Sequence, residues 1–191
     1  MRAYRISPWD PRAGGAAATG RLFDGLAAVR AGQQAGRFDN SRLYGAMYLA
    51  LSQAGAVAEV LGSHAEWVDE LFDAPGLGLR RHLLTVQIDD AIAERIVDVD
   101  DARFLLDRGL RPSEVAGRAR TRTRSLAADL FSEGAAGIRF WSYHRPEWTN
   151  VVLFVPPVGT GDVRVESAEP MHLDMPCVAA ASEMLCRPIR R

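Results

Sequence analysis

The chain has 191 residues, of which 48% are hydrophobic and 25% are charged, and its formal net charge is −1. This length suits one compact domain that buries enough apolar surface to fold without disulfides or a structural metal. The small net charge gives no general attraction to nucleic acid or to an anionic membrane. All 23 basic residues are arginine, which excludes Schiff-base and phosphate-loop lysine chemistry. Anions must be held by guanidinium groups, hydroxyls or main-chain N–H groups.

In the first half of the chain, hydrophobic periodicity predicts a mixture of strands and helices. Ser52 has a suitable side chain for a helix N-cap, and Gly62 is a point at which the helix that follows could break. The predicted elements, in chain order, are a strand at residues 4–6 that ends before Pro8, a loop at residues 12–20, a helix at residues 21–31, a turn at residues 32–40, a buried strand at residues 46–51, and a helix from residue 52 to residue 72.

The second half is predicted to contain more strands than helices. In chain order its elements are strands at residues 81–88 and 95–99, a short helix capped by Asp100 or Asp101, a helix at residues 113–132, strands at residues 137–142, 150–155 and 162–166, and a loop-and-helix tail from Glu169. Gly159-Thr160-Gly161 is predicted to form a hairpin turn. Because strands and helices do not alternate regularly, we expect a single compact α+β domain at residues 1–168. Residues 169–191 are expected to form a tail that packs on it.

The sequence gives no sign of export or of a metal site. The first 15 residues lack an apolar stretch of signal-peptide length, and the longest apolar runs are too short to span a membrane, so we expect a cytoplasmic protein. Residues 64–66 and Cys177 are similar to parts of a zinc deaminase signature. That signature needs a second cysteine after two intervening residues, whereas Cys186 follows nine positions later. We therefore expect no metal.

Two further patterns contain side chains that are candidates for a functional role. Ser142 and His144 lie two residues apart, so on a strand they would share a face, but no glycine-flanked elbow presents the serine as a nucleophile and a hydrogen-bonding role is favoured. Arg118, Arg120, Arg122 and Arg124 alternate along a predicted helix and do not share one face. A solvated helix start is favoured for them, and contact with an acidic partner or with a ligand phosphate is the alternative.

Four short segments occur in a fixed order along the chain. They are Tyr4-Arg5-Ile6, Gly36-Arg37-Phe38-Asp39-Asn40, Met47-Tyr48-Leu49-Ala50 with Ala56-Val57-Ala58-Glu59, and Gly137-Ile138-Arg139-Phe140-Trp141-Ser142 with Asn150-Val151-Val152-Leu153-Phe154. Arg37 precedes Tyr48 by eleven residues, and Tyr48 precedes Glu59 by eleven. In this order and spacing the chain resembles the RES domain family, which is named for an Arg, a Glu and a Ser. The departures lie in the family's Gly-Gly-Arg-Trp-Asn turn, where Ala35 and Phe38 replace the first Gly and the Trp, and the Asn comes one place late.

The resemblance implies an α+β core with a mixed or antiparallel sheet, like that of ADP-ribosyltransferase toxins. It also implies NAD as substrate and a role as the toxin of a toxin–antitoxin pair, with an Xre-like, DNA-binding antitoxin as partner. Some family members deplete NAD by phosphorolysis, so inorganic phosphate is the expected co-substrate, giving nicotinamide and ADP-ribose 1″-phosphate. Independently of the resemblance, residues 169–191 are expected either to cover the cleft or to form a contact in a homodimer, and the small net charge predicts no direct binding of nucleic acid.

The chemistry of NAD cleavage suits the side chains that the resemblance selects. Nicotinamide leaves as a neutral ring while positive charge moves onto the ribose, so a carboxylate beside that carbon stabilises the transition state. Glu59 is expected to supply that carboxylate. Arg37 would bind the diphosphate or an attacking phosphate, with Arg5 supporting the same anion. Tyr48 would stack on nicotinamide or ribose, and Ser142 would bond the nicotinamide amide or a phosphate. Glu59, Arg37 and Tyr48 are the expected catalytic residues.

Three alternatives to phosphorolysis stay open at this point. Water could attack the ribose carbon in place of phosphate, which would make the chain an NAD glycohydrolase. ADP-ribose could instead be transferred to a protein side chain. The third alternative is a catalytically silent binding module that uses the same cleft for a partner.

Overall fold

The computed structural model describes residues 1–10, 12, 36–116 and 120–190 of the chain. The helix predicted at residues 21–31 and all but one residue of the loop predicted at residues 12–20 lie outside the described ranges. The described strands are β1 (Arg2–Trp9), β2 (Gly45–Ala50), β3 (Asp73–Ala74), β4 (Leu79–Ile88), β5 (Ile96–Asp98), β6 (Gly137–Trp141), β7 (Thr149–Val155) and β8 (Val163–Pro170). The described α-helices are α1 (Gln53–Leu61), α2 (Asp90–Ala93), α3 (Ala102–Asp107), α4 (Pro112–Ala116), α5 (Arg120–Ser132) and α6 (Pro176–Leu185).

The strands form one mixed sheet in the order β3-β4-β1-β2-β7-β6-β5, and β8 pairs with β4 outside this path. The pair β5–β6 is parallel, and the other strand pairs are antiparallel. The α+β class expected from the sequence is therefore confirmed. The first strand is longer than predicted, since it continues through Pro8 to Trp9, and Pro8 lies opposite Arg81 of β4. A proline is tolerated in a strand where the ladder does not need its missing N–H donor.

Two local predictions need correction. The helix that Ser52 caps ends at Leu61 with Gly62 as its C-cap, so the break at Gly62 is confirmed and the extension to residue 72 is wrong. Beyond Gly62, Trp67 pairs with the carboxyl-terminal segment, where its main-chain N–H donates to the Pro188 carbonyl at 2.9 Å. The turn at Gly159 joins β7 to β8, but these strands pair with different neighbours, so it is not a hairpin.

Residues 169–190 contribute to the core of the domain. The end of β8 falls at Pro170, beyond the boundary predicted at residue 168, and α6 follows. Buried side chains of α6, among them Val178 and Ala181, join one hydrophobic cluster with buried side chains of α1. A second cluster contains buried residues of α3, α4 and α5. It includes Phe140, which shares a face of the sheet with Ala50 of the first cluster, because both residues lie opposite Asn150. The helices of both clusters thus lie over the same face of the sheet, and α1 reaches its central strands. Of the helices in the described ranges, none combines the length and the hydropathy needed to cross a bilayer.

Candidate active site

The register of the central strands places several of the selected side chains on one face of the sheet. Asn150 of β7 lies opposite Ala50 of β2 on one side and opposite Phe140 of β6 on the other. Because directly paired residues and residues two apart share a face, Tyr48 lies on the same face as Asn150 and Phe140. Ser142 follows Phe140 by two residues, and its main-chain N–H donates to the Trp148 carbonyl at 2.7 Å. This face is the floor of the candidate site.

Glu59 reaches the floor from α1. This helix follows β2 directly because Ser52 caps it, with its hydroxyl accepting a hydrogen bond from the Gly55 N–H at 3.0 Å. The Oε1 atom of Glu59 accepts two hydrogen bonds, one from the Ser142 hydroxyl at 2.6 Å and one from Nδ2 of Asn150 at 2.7 Å. Both donors are buried, at 5% and 4% exposed, whereas Glu59 itself is exposed. The carboxylate is therefore anchored through one oxygen and accessible at its other end.

The Ser142 hydroxyl has a full set of protein partners. It donates to Glu59 and accepts a hydrogen bond from the His144 N–H at 3.1 Å. A serine held in this way orients the carboxylate, because its one hydroxyl proton is donated to Glu59. The geometry agrees with the interpretation of Ser142 as a hydrogen-bonding group.

Arg37 lies in a turn beside the same floor and is held largely by main-chain carbonyls. Its Nη2 donates to the Trp141 carbonyl at 2.6 Å, and its Nη1 donates to those of Val115 and Ala116 at 3.2 and 3.4 Å. The guanidinium also stacks over the Phe140 ring at 4.7 Å from its centroid. Burial lowers the pKa of Arg37, and the negative charge of Glu59 is the largest influence in the opposite direction. The charge of Glu59 therefore favours the charged form of Arg37.

Tyr48 shapes the turn that carries Arg37. Its hydroxyl donates to Oδ1 of Asp39 at 2.8 Å and accepts a hydrogen bond from the Phe38 N–H at 3.1 Å. Oδ2 of Asp39 accepts a hydrogen bond from the Gly36 N–H at 2.7 Å. A Cβ atom at position 36 would lie 2.2 Å from the Tyr48 hydroxyl, so this tight turn requires glycine. Burial and the neighbouring Asp39 raise the pKa of Tyr48, which stays a neutral donor.

Helix α5 supports the same turn from outside. The hydroxyl of Thr123 donates to the Arg37 carbonyl at 2.5 Å, and the Arg124 guanidinium lies 3.4 Å from the Gly36 carbonyl. Arg122 pairs with Glu114 at 3.5 Å. Within the arginine series noted in the sequence, Arg124 thus has a structural role, and Arg118 lies outside the described residues.

Arg5 stands behind Tyr48 rather than among the side chains on the floor. Its Nη1 donates to the Tyr48 main-chain carbonyl at 2.8 Å, between β1 and β2. Its buried Nε has no hydrogen-bond partner among the described residues, and burial lowers the pKa of Arg5. The structure therefore brings Arg37, Tyr48, Glu59 and Ser142 together through direct or shared contacts and connects Arg5 to them through the main chain of β2.

Three polar residues of this site were missed in the sequence. Asn150 carried a usable signal, since it is a lone polar residue at the start of an otherwise apolar strand. Asp39 and Asp100 carried none, because aspartates in turns are common. Burial raises the pKa of Asp100 to about 7, more than the nearby hydrogen bond and charges lower it. Within the described ranges, no group of three or more His, Cys, Asp or Glu side chains could hold a metal ion.

No curated protein matches the chain. Among solved structures, the chain is similar to one in the crystal structure of the M. tuberculosis MbcT–MbcA toxin–antitoxin complex, with a TM-score of 0.60 and 16% sequence identity over 97% of this chain and 89% of that chain. At this identity the likeness shows the fold. The sequence profile of the RES domain matches residues 2–174, which include the turn of Arg37, α1 and β6. The chain belongs to the RES domain family.

Proposed function

We propose that the chain cleaves the nicotinamide–ribose bond of NAD and transfers the ADP-ribosyl group to inorganic phosphate. The observation that carries this proposal is the Glu59 carboxylate, which two buried donors anchor through one oxygen while its other end stays accessible. Membership of a family that acts on NAD supports the choice of substrate. The products are nicotinamide and ADP-ribose 1″-phosphate.

Glu59 acts by electrostatics in this proposal. As the bond to nicotinamide breaks, the pyridinium becomes a neutral leaving group and the ribose carbon gains positive charge, so no general acid is needed. A fixed carboxylate stabilises that developing charge and does not have to reorganise during the step. Ser142 and Asn150 hold the Oε1 atom and leave Oε2 without a partner among the described residues, which makes Oε2 the atom that meets the ribose.

Arg37 supplies the positive charge of the site. Three main-chain carbonyls and the Phe140 ring hold the guanidinium, and its Nε has no hydrogen-bond partner among the described residues. A guanidinium that keeps free N–H donors can bind a phosphate oxygen. We assign it to the attacking phosphate or to the diphosphate of NAD. We assign Tyr48 to keeping the turn of Arg37 in place and to contacting the nicotinamide or ribose with its ring.

Phosphate dependence tests the reaction. Purified protein is incubated with NAD in a phosphate-free buffer and in the same buffer with added inorganic phosphate, and the products are separated by chromatography. We expect NAD loss to require phosphate and ADP-ribose 1″-phosphate to form in equal amount to nicotinamide. Equal rates of NAD loss in both buffers, with free ADP-ribose as the product, would indicate hydrolysis instead of phosphorolysis. Label from NAD on the protein would indicate ADP-ribosyl transfer instead.

A toxin role is the biological part of the proposal. Its support is the RES family and the fold shared with a chain of a toxin–antitoxin complex. Expression of the chain is expected to deplete cellular NAD and arrest growth, and the Glu59→Gln variant is expected to do neither. An antitoxin, expected to be an Xre-like DNA-binding protein, would suppress the effect when expressed from a neighbouring reading frame. Arrest by the wild type and the variant alike would contradict an NAD-dependent toxin.

A further inference from the structure

Strand β6 continues past the end of its parallel neighbour β5. The last main-chain hydrogen bond between them runs from the Val99 N–H to the Arg139 carbonyl at 3.1 Å. Trp141 lies two residues beyond Arg139, so its N–H and C=O point to the same side, where β5 has ended. Main-chain groups in a partly buried position need partners. Asp100 accepts the Trp141 N–H, and Nη2 of Arg37 donates to the Trp141 carbonyl at 2.6 Å.

Accepting the Trp141 N–H does not by itself require Asp100 to be negatively charged. Its Oδ2 is buried and has no hydrogen-bond partner among the described residues, and its own N–H donates to Oδ1 of Asp98 at 3.0 Å. A buried carboxylate oxygen without a donor costs free energy. Accepting the Trp141 N–H needs only one of the two carboxylate oxygens. The charge of Asp100 is therefore available to a cation beside this sheet edge.

We propose that Asp100 is a positioning residue for Arg37. Its carboxylate and the Arg37 guanidinium hold the two main-chain groups of Trp141 between them, and the charge of Asp100 keeps the guanidinium in place beside Glu59 and Ser142. This inference rests on the proposed function, since it concerns the orientation of the residue assigned there to phosphate.

The charged groups around Asp100 lie on three elements. Asp98 at the end of β5 and burial raise the pKa of Asp100 to about 7, while Arg37 on its turn and Arg139 on β6 act in the opposite direction. Asp100 in turn supports the charged form of Arg37, because its charge acts against the lowering of the Arg37 pKa by burial. Asp100 is thus protonated below neutral pH and ionised above it. The support that it gives to Arg37 is present above about pH 7 and lost as the pH falls below that value.

The variant Asp100→Asn tests the role of the charge. Its amide oxygen can still accept the Trp141 N–H, but the side chain is neutral at every pH. We expect kcat/KM for NAD cleavage to match the wild type near pH 6, where Asp100 is itself protonated, and to be about fivefold lower near pH 8. Asp107→Asn is the matched control, because this exposed carboxylate pairs with Arg103 at 3.8 Å and is not among the charges that act on Asp100 or Arg37. Parallel pH profiles for Asp100→Asn and the wild type would overturn the proposal, as would an equal pH-dependent loss in Asp107→Asn.

A second readout does not depend on catalysis. The Nε–Hε signal of Arg37 in a nitrogen-15 NMR spectrum can be assigned from its loss in Arg37→Lys. We expect this signal to titrate with a midpoint near pH 7 in the wild type and to stay constant in Asp100→Asn. A signal that is constant in both would overturn the role of Asp100. If the wild type fails to cleave NAD, the proposed function falls, and the Arg37 signal alone then decides whether Asp100 positions this residue.

Discussion

The two sides of the candidate site are built in different ways. On the Glu59 side, the carboxylate is held by the side chains of Ser142, directly after β6, and of Asn150 in the neighbouring strand β7. On the Arg37 side, the guanidinium is held by main-chain carbonyls from α4 and from Trp141 of β6. Side-chain partners can be removed one at a time with little change to the backbone, whereas main-chain partners couple the residue to the fold. Substitutions on the Glu59 side should therefore lower activity with little change in stability, whereas substitutions on the Arg37 side should lower both.

The largest effect is expected from Glu59→Gln. The amide keeps an oxygen for Ser142 and Asn150 but removes the negative charge that faces the ribose, so kcat should fall about 10²–10³-fold. The melting temperature should stay close to that of the wild type, because Glu59 is exposed. The control is Glu94→Gln, an exposed carboxylate before β5, at the other end of that strand from Trp141. Full activity in Glu59→Gln would remove Glu59 from the mechanism.

Arg37→Lys should lower both activity and stability. Lysine keeps the charge but lacks the planar fork that spans the Trp141 and Val115 carbonyls and stacks on Phe140. We expect kcat/KM to fall about 100-fold and the free energy of unfolding in urea to fall by about 1–3 kcal/mol, since partly buried acceptors lose their donors. An inactive variant with an unchanged unfolding free energy would show that the two sides of the site do not differ as described.

Ser142→Ala and Asn150→Ala should each lower kcat about tenfold, with hydrogen bonds to a charged group contributing about 1.5 kcal/mol each. Because both donors bind the same Oε1 atom, the double variant should differ from the product of the two single effects. Ser132→Ala is the control, since that exposed hydroxyl bonds only to the Ala128 carbonyl in the described part of the chain. Independent effects of the two substitutions would argue against a shared anchor.

The smallest effect on the chemistry is expected from Gly36→Ala, which should act on the Arg37 side through the fold. The added methyl would meet the Tyr48 hydroxyl, so the unfolding free energy should fall by about 1–3 kcal/mol and kcat/KM only a few-fold. Gly161→Ala is the matched control, since a Cβ atom there meets nothing within 4 Å. Equal stability of the two variants would contradict the tight turn described here.

The same contrast explains how far the sequence could predict the site. The order and spacing of Arg37, Tyr48, Glu59 and Ser142 carried the RES resemblance, which the family match confirms. The period-two pattern of the strands could also have shown Asn150 on the face shared with Tyr48. Tyr48, Glu59 and Asn150 lie on regular elements, which repeat in a way that a sequence displays, whereas Arg37 and Ser142 were selected through the family resemblance.

The partners of Arg37 could not be predicted, because main-chain carbonyls carry no residue identity and their availability depends on where β5 ends. The role of Asp100 beside Trp141 could not be predicted for the same reason. The sequence offered Asp100 or Asp101 as the cap of a short helix, and Asp101 is the N-cap of α3. The continuation of helix beyond Gly62 was also wrong, since the pairing of Trp67 with the carboxyl-terminal segment joins positions far apart in the chain.

The most direct test of the central claim is a proton NMR time course of NAD with purified protein at micromolar concentration in phosphate buffer. Free nicotinamide should appear with the wild type and with Glu94→Gln, and its rate should fall at least 100-fold with Glu59→Gln. Calorimetric titration should show that this variant still binds NAD. Failure of the folded wild type to release nicotinamide would contradict the account, and so would release that is independent of Glu59.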